Sequence, residues 1–358
     1  MVAMIPHSRP TLGVEEAAAA AETIMSGQIS QGAKVAELEA SFAAFLGLKR
    51  AVAVNSGTSA LHLALLALGT RPGDEVIIPD YVCTALLNAV YYTGATPVIA
   101  DVGEADGNLD CRAALRLITS KTRAVIVPHM FGNPCAGIMR FRERGIPVIE
   151  DCAQSVGAEL AGCKVGTLGD LSIFSFYATK VMTCGEGGMV ASNFPELTAI
   201  VADLCDYDNR NDYRPRYNYK MTDLQAAMGL VQLARLPDFI HRRREIAQRY
   251  NAGLRGLPLR LPTALPGHDS IYFRYVVRVA DAESLLTHLR SSGVVAARPV
   301  FKPCHLLLGG ADDCLVSLRL WLESVSLPIY PLLQNAEVDR IITTIWNYYQ
   351  KDSKLDLE

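Results

Sequence analysis

Seven short apolar segments occur in the first two-thirds of the chain, and helical spacing of apolar residues follows many of them. The segments are apolar on both faces, which is typical of parallel strands buried under helices. Because strands and helices alternate in this way, the pattern predicts an α/β sheet with crossovers of one hand. The predicted strands are Ala51–Val54, Glu75–Ile78, Thr96–Ala100, Ala124–Val127, Pro147–Ile149, Leu171–Ser175 and Gly188–Ala191.

The pattern changes near Pro237. Beyond this residue the regular elements are fewer, and the loops between them are rich in proline and leucine. This change predicts two domains, a large α/β domain over residues 1–236 and a smaller α+β domain over residues 237–358. The elements predicted for the second domain are a charged helix over 237–253, an alternating strand over Tyr272–Val279, a helix over 282–291 and a last helix after Asn335.

Composition narrows the possible functions. Half of the 358 residues are hydrophobic, which is enough for a core and excludes general disorder. The formal net charge of −3 gives no basic footprint for nucleic acid, so none is expected as a partner. No apolar run approaches the ~20 residues of a membrane span, and the N-terminus lacks a signal-peptide pattern. The nine cysteines show no C-x-x-C spacing, so we expect reduced thiols, no metal site and a cytoplasmic location.

The segment Asn55–Ala60 follows a predicted strand and opens a helix. Gly57 permits close backbone approach, and the helix N-terminus offers free N–H groups together with the hydroxyls of Thr58 and Ser59. These features fit a phosphate-binding cup. The alternative is that Thr58 or Ser59 is only an N-cap.

Two further groups carry chemistry. Asp151 ends a buried strand, at the edge where open α/β sheets bind ligands. A carboxylate there needs a cationic partner, which could be a metal, a protonated pyridine ring or a local basic side chain. Lys180 lies in an apolar, hydroxyl-rich loop, where desolvation would activate it as an amine; the alternative is an ordinary surface lysine. An anion cup, a carboxylate and an amine in this order are together what pyridoxal phosphate requires.

At these residues the sequence resembles the sugar aminotransferases of the DegT/DnrJ/EryC1/StrS family, in the aspartate-aminotransferase-like (fold type I) class of pyridoxal phosphate enzymes. The resemblance extends over nearly the whole chain and implies a large domain with a mostly parallel sheet and a smaller C-terminal α+β domain. The matching stretches include 26–32, Asn55–Ala60, Pro79–Val90, 129–132, Glu150–Gly157, Phe174–Lys180, Gly185–Gly188, Asn218–Gly229 and Leu327–Pro331.

The resemblance implies roles for individual residues. Lys180 matches the lysine that forms an imine with the cofactor and moves the substrate proton. Asp151 matches the partner of the pyridinium nitrogen, and Gln154 matches a glutamine near the phenolic oxygen of the ring. Asn218 matches an asparagine that reaches the phosphate of the neighbouring subunit, which implies a homodimer with shared active sites. The residues that match phosphate contacts are Gly57, Thr58, Ser175 and, more weakly, Ser59.

This sequence departs from the family pattern in places. Cys83 stands where relatives stack a large aromatic ring on the cofactor, and Tyr81 could substitute for that ring. Val156 replaces a common histidine. His305 resembles a substrate-pocket position, and Glu186 could contact substrate. The alternatives are a packed or surface histidine and an ordinary turn carboxylate.

The resemblance therefore implies transfer of an amino group from an amino acid, L-glutamate in most relatives, to a nucleotide-linked keto-sugar by a ping-pong scheme. A sugar dehydratase or deoxygenase of the same family remains an alternative, although those enzymes carry histidine at the position of Lys180. A pyridoxal phosphate enzyme that uses only amino acids and a non-catalytic regulator of the family also remain open.

Overall fold

The structure is a computed structural model that describes residues 4–208, 210–263, 265–309 and 314–355, with side chains described as far as residue 350. In this part of the chain the strands are β1 (Arg50–Val54), β2 (Glu75–Pro79), β3 (Thr96–Ala100), β4 (Thr122–Pro128), β5 (Val148–Asp151), β6 (Glu159–Leu160), β7 (Cys163–Lys164), β8 (Leu171–Ser175), β9 (Gly188–Ser192), β10 (His268–Asp269), β11 (Tyr275–Arg278) and β12 (Ser324–Leu327).

Seven strands form the central sheet, in the order β1-β9-β8-β5-β4-β2-β3, and all seven predicted segments are its members. Neighbours run parallel except β9, which pairs antiparallel with both β1 and β8. Strand β9 reverses because the segment between β8 and β9 contains no helix to carry the chain back across the sheet. The predicted α/β class with a mostly parallel sheet is confirmed.

Helices cover both faces of this sheet. The helices of the described residues are α1 (Val14–Ser26), α2 (Ala33–Leu46), α3 (Gly57–Ala67), α4 (Ala85–Tyr92), α5 (Cys111–Arg116), α6 (Met139–Arg142), α7 (Pro195–Cys205), α8 (Asp223–Gly253), α9 (Ala282–Ser291), α10 (Cys304–Leu308), α11 (Leu315–Glu323) and α12 (Asn335–Leu355), with a 3₁₀ turn at Met130–Gly132.

Each face of the sheet has its own apolar core. On one face α3 is apolar all round, because it is buried between the strands and the helices α4 and α7. On the other face Phe42 of α2 packs edge-to-face on Phe174 of β8, with ring centroids 4.8 Å apart. These two cores fix the ends of the strands, where the polar residues of the site lie.

Helix α8 differs from its prediction. The helix predicted to begin near Pro237 begins at Asp223 and continues through Pro237 to Gly253. Proline lacks the N–H that would bond the preceding turn, which costs about 3 kcal/mol in a helix interior. Tertiary packing offsets that cost, because α8 packs against α1, α2 and α12. The two-domain division remains a prediction, and α8 spans its proposed boundary.

The remaining elements form the C-terminal part of the fold. Strands β11 and β12 pair antiparallel, and α9 begins where the Asp281 carboxylate accepts a hydrogen bond from Ser284 N at 2.9 Å. The helix predicted over 282–291 is confirmed, and so is the final helix after Asn335. All nine cysteines are free thiols, as predicted. Among the described residues, no helix is both long enough and apolar enough to cross a membrane.

Candidate active site

A cavity of about 250 Å³ opens where the parallel strands end at their carboxyl termini, which is the ligand-binding edge of such sheets. We call it the cofactor cavity. Most of the predicted site residues lie in its wall, although they come from distant parts of the sequence. The predicted residues in the wall are Gly57, Thr58, Cys83, Asp151, Gln154, Ser175, Lys180 and Glu186.

The N-terminus of α3 forms one end of the cofactor cavity. Ser56 is the N-cap, and its Oγ accepts a hydrogen bond from Ser59 N at 3.1 Å. The amides of Gly57 and Thr58 lie in the first turn of α3, where the helix offers them no carbonyl partner, so they are left available for a ligand. The Ser59 hydroxyl instead donates to Asn55 Oδ1 at 2.7 Å, so Ser59 supports the turn and does not line the cavity.

Close packing at Gly57 gives the cup its shape. A Cβ added to Gly57 would lie 2.8 Å from Ser175 Cβ, which is closer than real Cβ atoms approach. The glycine therefore lets the start of α3 lie directly against the end of β8, with both segments facing the same volume.

We expect Gly57→Ala to push these two segments apart. The change should cost about 1–3 kcal/mol of stability through overpacking and weaken cofactor binding by at least about tenfold. The checks are thermal unfolding and a cofactor titration. Gly103→Ala is the matched control, because its added Cβ would meet its nearest atom at an ordinary 3.4 Å. Equal cofactor affinity in the two variants would contradict the role given to Gly57.

Two adjacent carboxylates at the end of β5, Glu150 and Asp151, point to opposite sides of the strand. Asp151 faces the cofactor cavity, and its Oδ1 accepts a hydrogen bond from Ala153 N at 2.9 Å. Burial raises the pKa of Asp151, although the Ala153 amide and the charge of Lys180 oppose the rise. A cation beside this carboxylate would favour its charged form, so Asp151 suits a protonated nitrogen.

Glu150 points to the opposite side of the strand and has a structural task. Its carboxylate accepts hydrogen bonds from the amides of Gly166, Leu168 and Gly169 at 2.6–2.8 Å. It also meets His129 Nε2 at 3.0 Å. His129 Nδ1 accepts from Cys135 N, so the ring is a donor at Nε2 and both nitrogens are engaged. These bonds give His129 a structural role.

Lys180 follows β8 in a turn, where its amide donates to Tyr177 O at 2.9 Å. Burial lowers the pKa of Lys180, opposed by the charge of Asp151. Its Nζ lies 5.3 Å from the centroid of the Phe273 ring, which shields the amine. Burial therefore favours the neutral amine of Lys180, which is the form that attacks a carbonyl to make an imine.

Gln154 lines the cofactor cavity and is hydrogen-bonded to the backbone of Phe131. Its Oε1 accepts a hydrogen bond from Phe131 N at 2.9 Å, which fixes the orientation of the amide. Its Nε2 has no hydrogen-bond partner among the described residues and remains free to donate to a ligand oxygen. Phe131 has a left-handed backbone with φ of 61°, which is uncommon for a bulky residue.

Glu186 lies in the loop between β8 and β9, which we call the Glu186 loop, and the start of α8 holds this loop in place. Thr222 and Gln225 form a capping box at the start of α8. Gln225 Nε2 also donates to Glu186 O at 2.9 Å, so the same side chain fixes the Glu186 loop over the cofactor cavity.

Cys83 is exposed and lies in the wall of the cofactor cavity, and its position over the cofactor ring stays a prediction. Tyr81 does not substitute for it. Tyr81 is fully buried, its hydroxyl meets Leu320 O at 3.4 Å, and it lines a different cavity. Tyr81 and Cys83 are only two residues apart in the segment after β2, but their side chains line different cavities.

Three predicted residues lie outside this cavity wall. Ser59 is one of them. Asn218 is exposed, and its carbonyl accepts a hydrogen bond from Asn55 Nδ2 at 3.3 Å. His305 is buried, and its Nδ1 contacts Asp80 Oδ2 at 2.6 Å. The pairing of Asp80 with His305 has no sequence signal, since 225 positions separate the two residues.

The residues present fit pyridoxal phosphate. An anion cup at Gly57, a buried carboxylate at Asp151, an amine at Lys180 and a free amide donor at Gln154 share one cavity. Each matches one group of the cofactor: the phosphate, the ring nitrogen, the aldehyde and the phenolic oxygen.

Comparisons with known proteins agree with this geometry. GDP-perosamine synthase of Caulobacter vibrioides is 37% identical over 336 residues, which cover 88% of this chain and 90% of that protein. The aminotransferase TlmJ from Streptoalloteichus hindustanus superposes with a TM-score of 0.93 at 34% identity, covering 98% of this chain and 100% of TlmJ. Spr1654 from Streptococcus pneumoniae, described as a sugar aminotransferase and solved in a PLP form, has a TM-score of 0.91 at 27% identity, with 97% and 99% covered.

The sheet order, with a carboxylate ending β5 and a lysine after β8, defines an aminotransferase of fold type I. The model of the DegT/DnrJ/EryC1/StrS aminotransferase family matches residues 10–346. The chain belongs to this family. The predicted enzyme class, a pyridoxal phosphate-dependent sugar aminotransferase, is thereby confirmed.

Proposed function

We propose that the cofactor cavity holds pyridoxal phosphate and transfers an amino group from L-glutamate to a nucleotide-linked keto-sugar. The observation that carries the proposal is the meeting of Lys180, Asp151 and the N-terminus of α3 in one cavity. GDP is the first carrier to test, because GDP-perosamine synthases of three organisms are among the relatives.

Bound pyridoxal phosphate supplies an electron sink and a carbonyl that exchanges for an amine. The amides of Gly57 and Thr58 and the hydroxyl of Ser175 bind the phosphate. Asp151 holds the proton on the ring nitrogen, and Gln154 donates to the phenolic oxygen. Lys180 would hold the cofactor covalently through its Nζ in the resting enzyme.

Lys180 also acts as the proton carrier of the reaction. With the cofactor and an amino donor bound, Lys180 Nζ would be the group that moves the proton between the donor α-carbon and C4′. With a keto-sugar in the same cavity, Lys180 would move the proton in the opposite direction. The two substrates are used in turn, which is a ping-pong scheme.

We further propose a homodimer with shared sites. Asn218 is exposed and lies outside the cavity of its own chain, so its side chain is available to the phosphate of a neighbouring subunit. Glu186 and His305 remain substrate-contact proposals, of which Glu186 has the direct support of lining the cavity.

Half-reactions test the proposed function. The holoenzyme with L-glutamate alone should release one 2-oxoglutarate per site and lose its visible cofactor absorbance. Adding GDP-linked, dTDP-linked or UDP-linked 4-keto or 3-keto sugars should restore that absorbance and yield an amino sugar for one of them. Lys34→Ala, an exposed lysine on α2, is the active control. A dehydrated sugar in place of an amino sugar would favour the dehydratase alternative.

Cys83 provides a separate prediction, because it departs from the family pattern. We expect Cys83→Ser to keep kcat/KM within about threefold, since the volume is conserved and no thiolate chemistry is required. Cofactor absorbance and steady-state rates check this, with the exposed Cys163→Ser as the control. Complete loss of activity in a folded, cofactor-loaded Cys83→Ser protein would instead assign a chemical role to the thiol.

A further inference from the structure

A second cavity of about 280 Å³ lies behind the wall of the cofactor cavity. We call it the arginine cavity. The two cavities share no lining residue, and Phe131 and Met130 separate them, with Phe131 facing the arginine cavity and Met130 the cofactor cavity. Its volume lies near the lower end of small-molecule sites, about 300–1,000 Å³. Its apolar wall is formed by Tyr81, Phe131, Leu261, Pro262, Tyr272 and Leu320.

Four arginines and three carboxylates line this cavity. Arg244 pairs with Asp269 at 2.7 Å, and Arg260 lies 3.4 Å from Glu104. Arg278 meets Glu323, which lies outside the lining, at 2.7 Å and Glu104 at 3.2 Å. These three arginines are therefore compensated.

The third carboxylate does not compensate the fourth arginine. Asp106 accepts hydrogen bonds from the amide and the side chain of Asn108, at 3.0 and 2.9 Å. It makes no ion pair within the described residues. Arg274 is thus the one arginine of this lining that forms no ion pair among the described residues.

Arg274 has a neutral partner. Its Nη1 contacts His7 Nδ1 at 2.8 Å, and burial lowers the pKa of His7 to about 3, so that ring is uncharged at neutral pH. The guanidinium stacks 5.0 Å from the centroid of the Phe273 ring. No carboxylate of residues 4–208, 210–263, 265–309 or 314–350 forms an ion pair with it. His268 adds a buried Nδ1 that has no hydrogen-bond partner in the same ranges.

We propose that the arginine cavity is a second ligand site, which binds a small organic monoanion with an apolar body. The anionic group pairs with Arg274, and the apolar body packs on Tyr272, Phe131 and Leu261. A guanidinium that is largely withdrawn from water and lacks a counter-charge favours such a ligand, because charge-assisted hydrogen bonds are stronger where water is excluded. This site is separate from the one that carries the proposed function.

Benzoate and phenyl phosphate are the probes, with benzamide as the neutral isostere of benzoate. They are titrated by calorimetry into holoenzyme whose cofactor has been fixed by borohydride, so the cofactor cavity is filled. We expect at least one anion to bind once per chain, and benzamide to bind at least about tenfold more weakly than benzoate. This comparison needs no variant.

Two arginine variants localise the binding. Arg274→Met keeps the apolar stem and should weaken the anion at least about tenfold, whereas Arg274→Lys should keep part of the affinity. Arg249→Met, at an exposed arginine that pairs with Asp339 outside the cavity lining, is the matched control and should change affinity less than about twofold.

Three results would overturn the proposal. One is that neither anion binds at concentrations up to about 10 mM, which corresponds to a binding free energy weaker than about 3 kcal/mol. Another is that benzamide binds as well as benzoate. The third is that a folded Arg274→Met protein binds the anion as tightly as the unaltered enzyme.

Discussion

Lys180→Ala should lower kcat by about 10⁴-fold, the upper end of what a positioned acid–base group contributes. The change removes both the covalent attachment of the cofactor and the proton carrier. The cup at Gly57 and Thr58 is untouched, so the variant should still bind pyridoxal phosphate noncovalently. Steady-state rates measure the first effect, and cofactor retained after gel filtration measures the second.

Reductive labelling makes this prediction specific to one residue. Borohydride should fix the cofactor to Lys180 in the unaltered enzyme, and peptide mapping should find no label on other lysines. Lys34→Ala, on the exposed face of α2, should label and react normally. A label that maps to another lysine, or a Lys180→Ala variant that keeps transamination, would contradict the assignment.

The central sheet could be predicted because most of its strands are short apolar runs that are buried on both faces. All seven runs became strands, since few other structures bury such segments completely. The direction of β9 could not be predicted, because direction depends on the connection that precedes a strand and not on its residues. The continuation of α8 through Pro237 also required tertiary packing, which local propensity does not contain.

The cofactor cavity could be predicted because its polar residues directly follow strands. Asp151 ends β5 and Ser175 ends β8, so knowledge of the sheet alone brings them to one edge. The side to which each residue points was harder to predict. Glu150 and Asp151 are neighbours, yet one organises a loop through three amides and the other faces the cavity.

Contacts between distant, unremarkable residues could not be predicted. The Asp80–His305 pair and the hydrogen bond from Phe131 N to Gln154 join positions with no shared motif. The arginine cavity also depends on contacts between distant positions that share no motif. Arg274 lacks an ion pair there because Arg244, Arg260 and Arg278 find carboxylates in the folded chain while Arg274 finds the neutral His7.

Asn218→Asp should inactivate the enzyme, because a carboxylate in place of the amide repels the phosphate group it is proposed to bind. The structure holds the Asn218 segment beside the end of β1, where Asn55 N donates to Tyr219 O at 2.7 Å. The loop should therefore stay folded in the variant. Asn193→Asp, at a surface amide whose Oδ1 accepts from Lys49 N, is the matched control and should remain active.

Mixing the inactive Asn218→Asp and Lys180→Ala chains distinguishes a shared site from a separate one. If Asn218 serves the partner, each mixed dimer contains one intact site, in which the Lys180 of one chain meets the Asn218 of the other. Random pairing after co-refolding makes half of the dimers mixed, so about a quarter of the unaltered activity should return. The two refolded single variants set the baseline, and affinity tags verify the mixed dimers. Verified mixed dimers without recovered activity would mean that Asn218 serves its own chain or none.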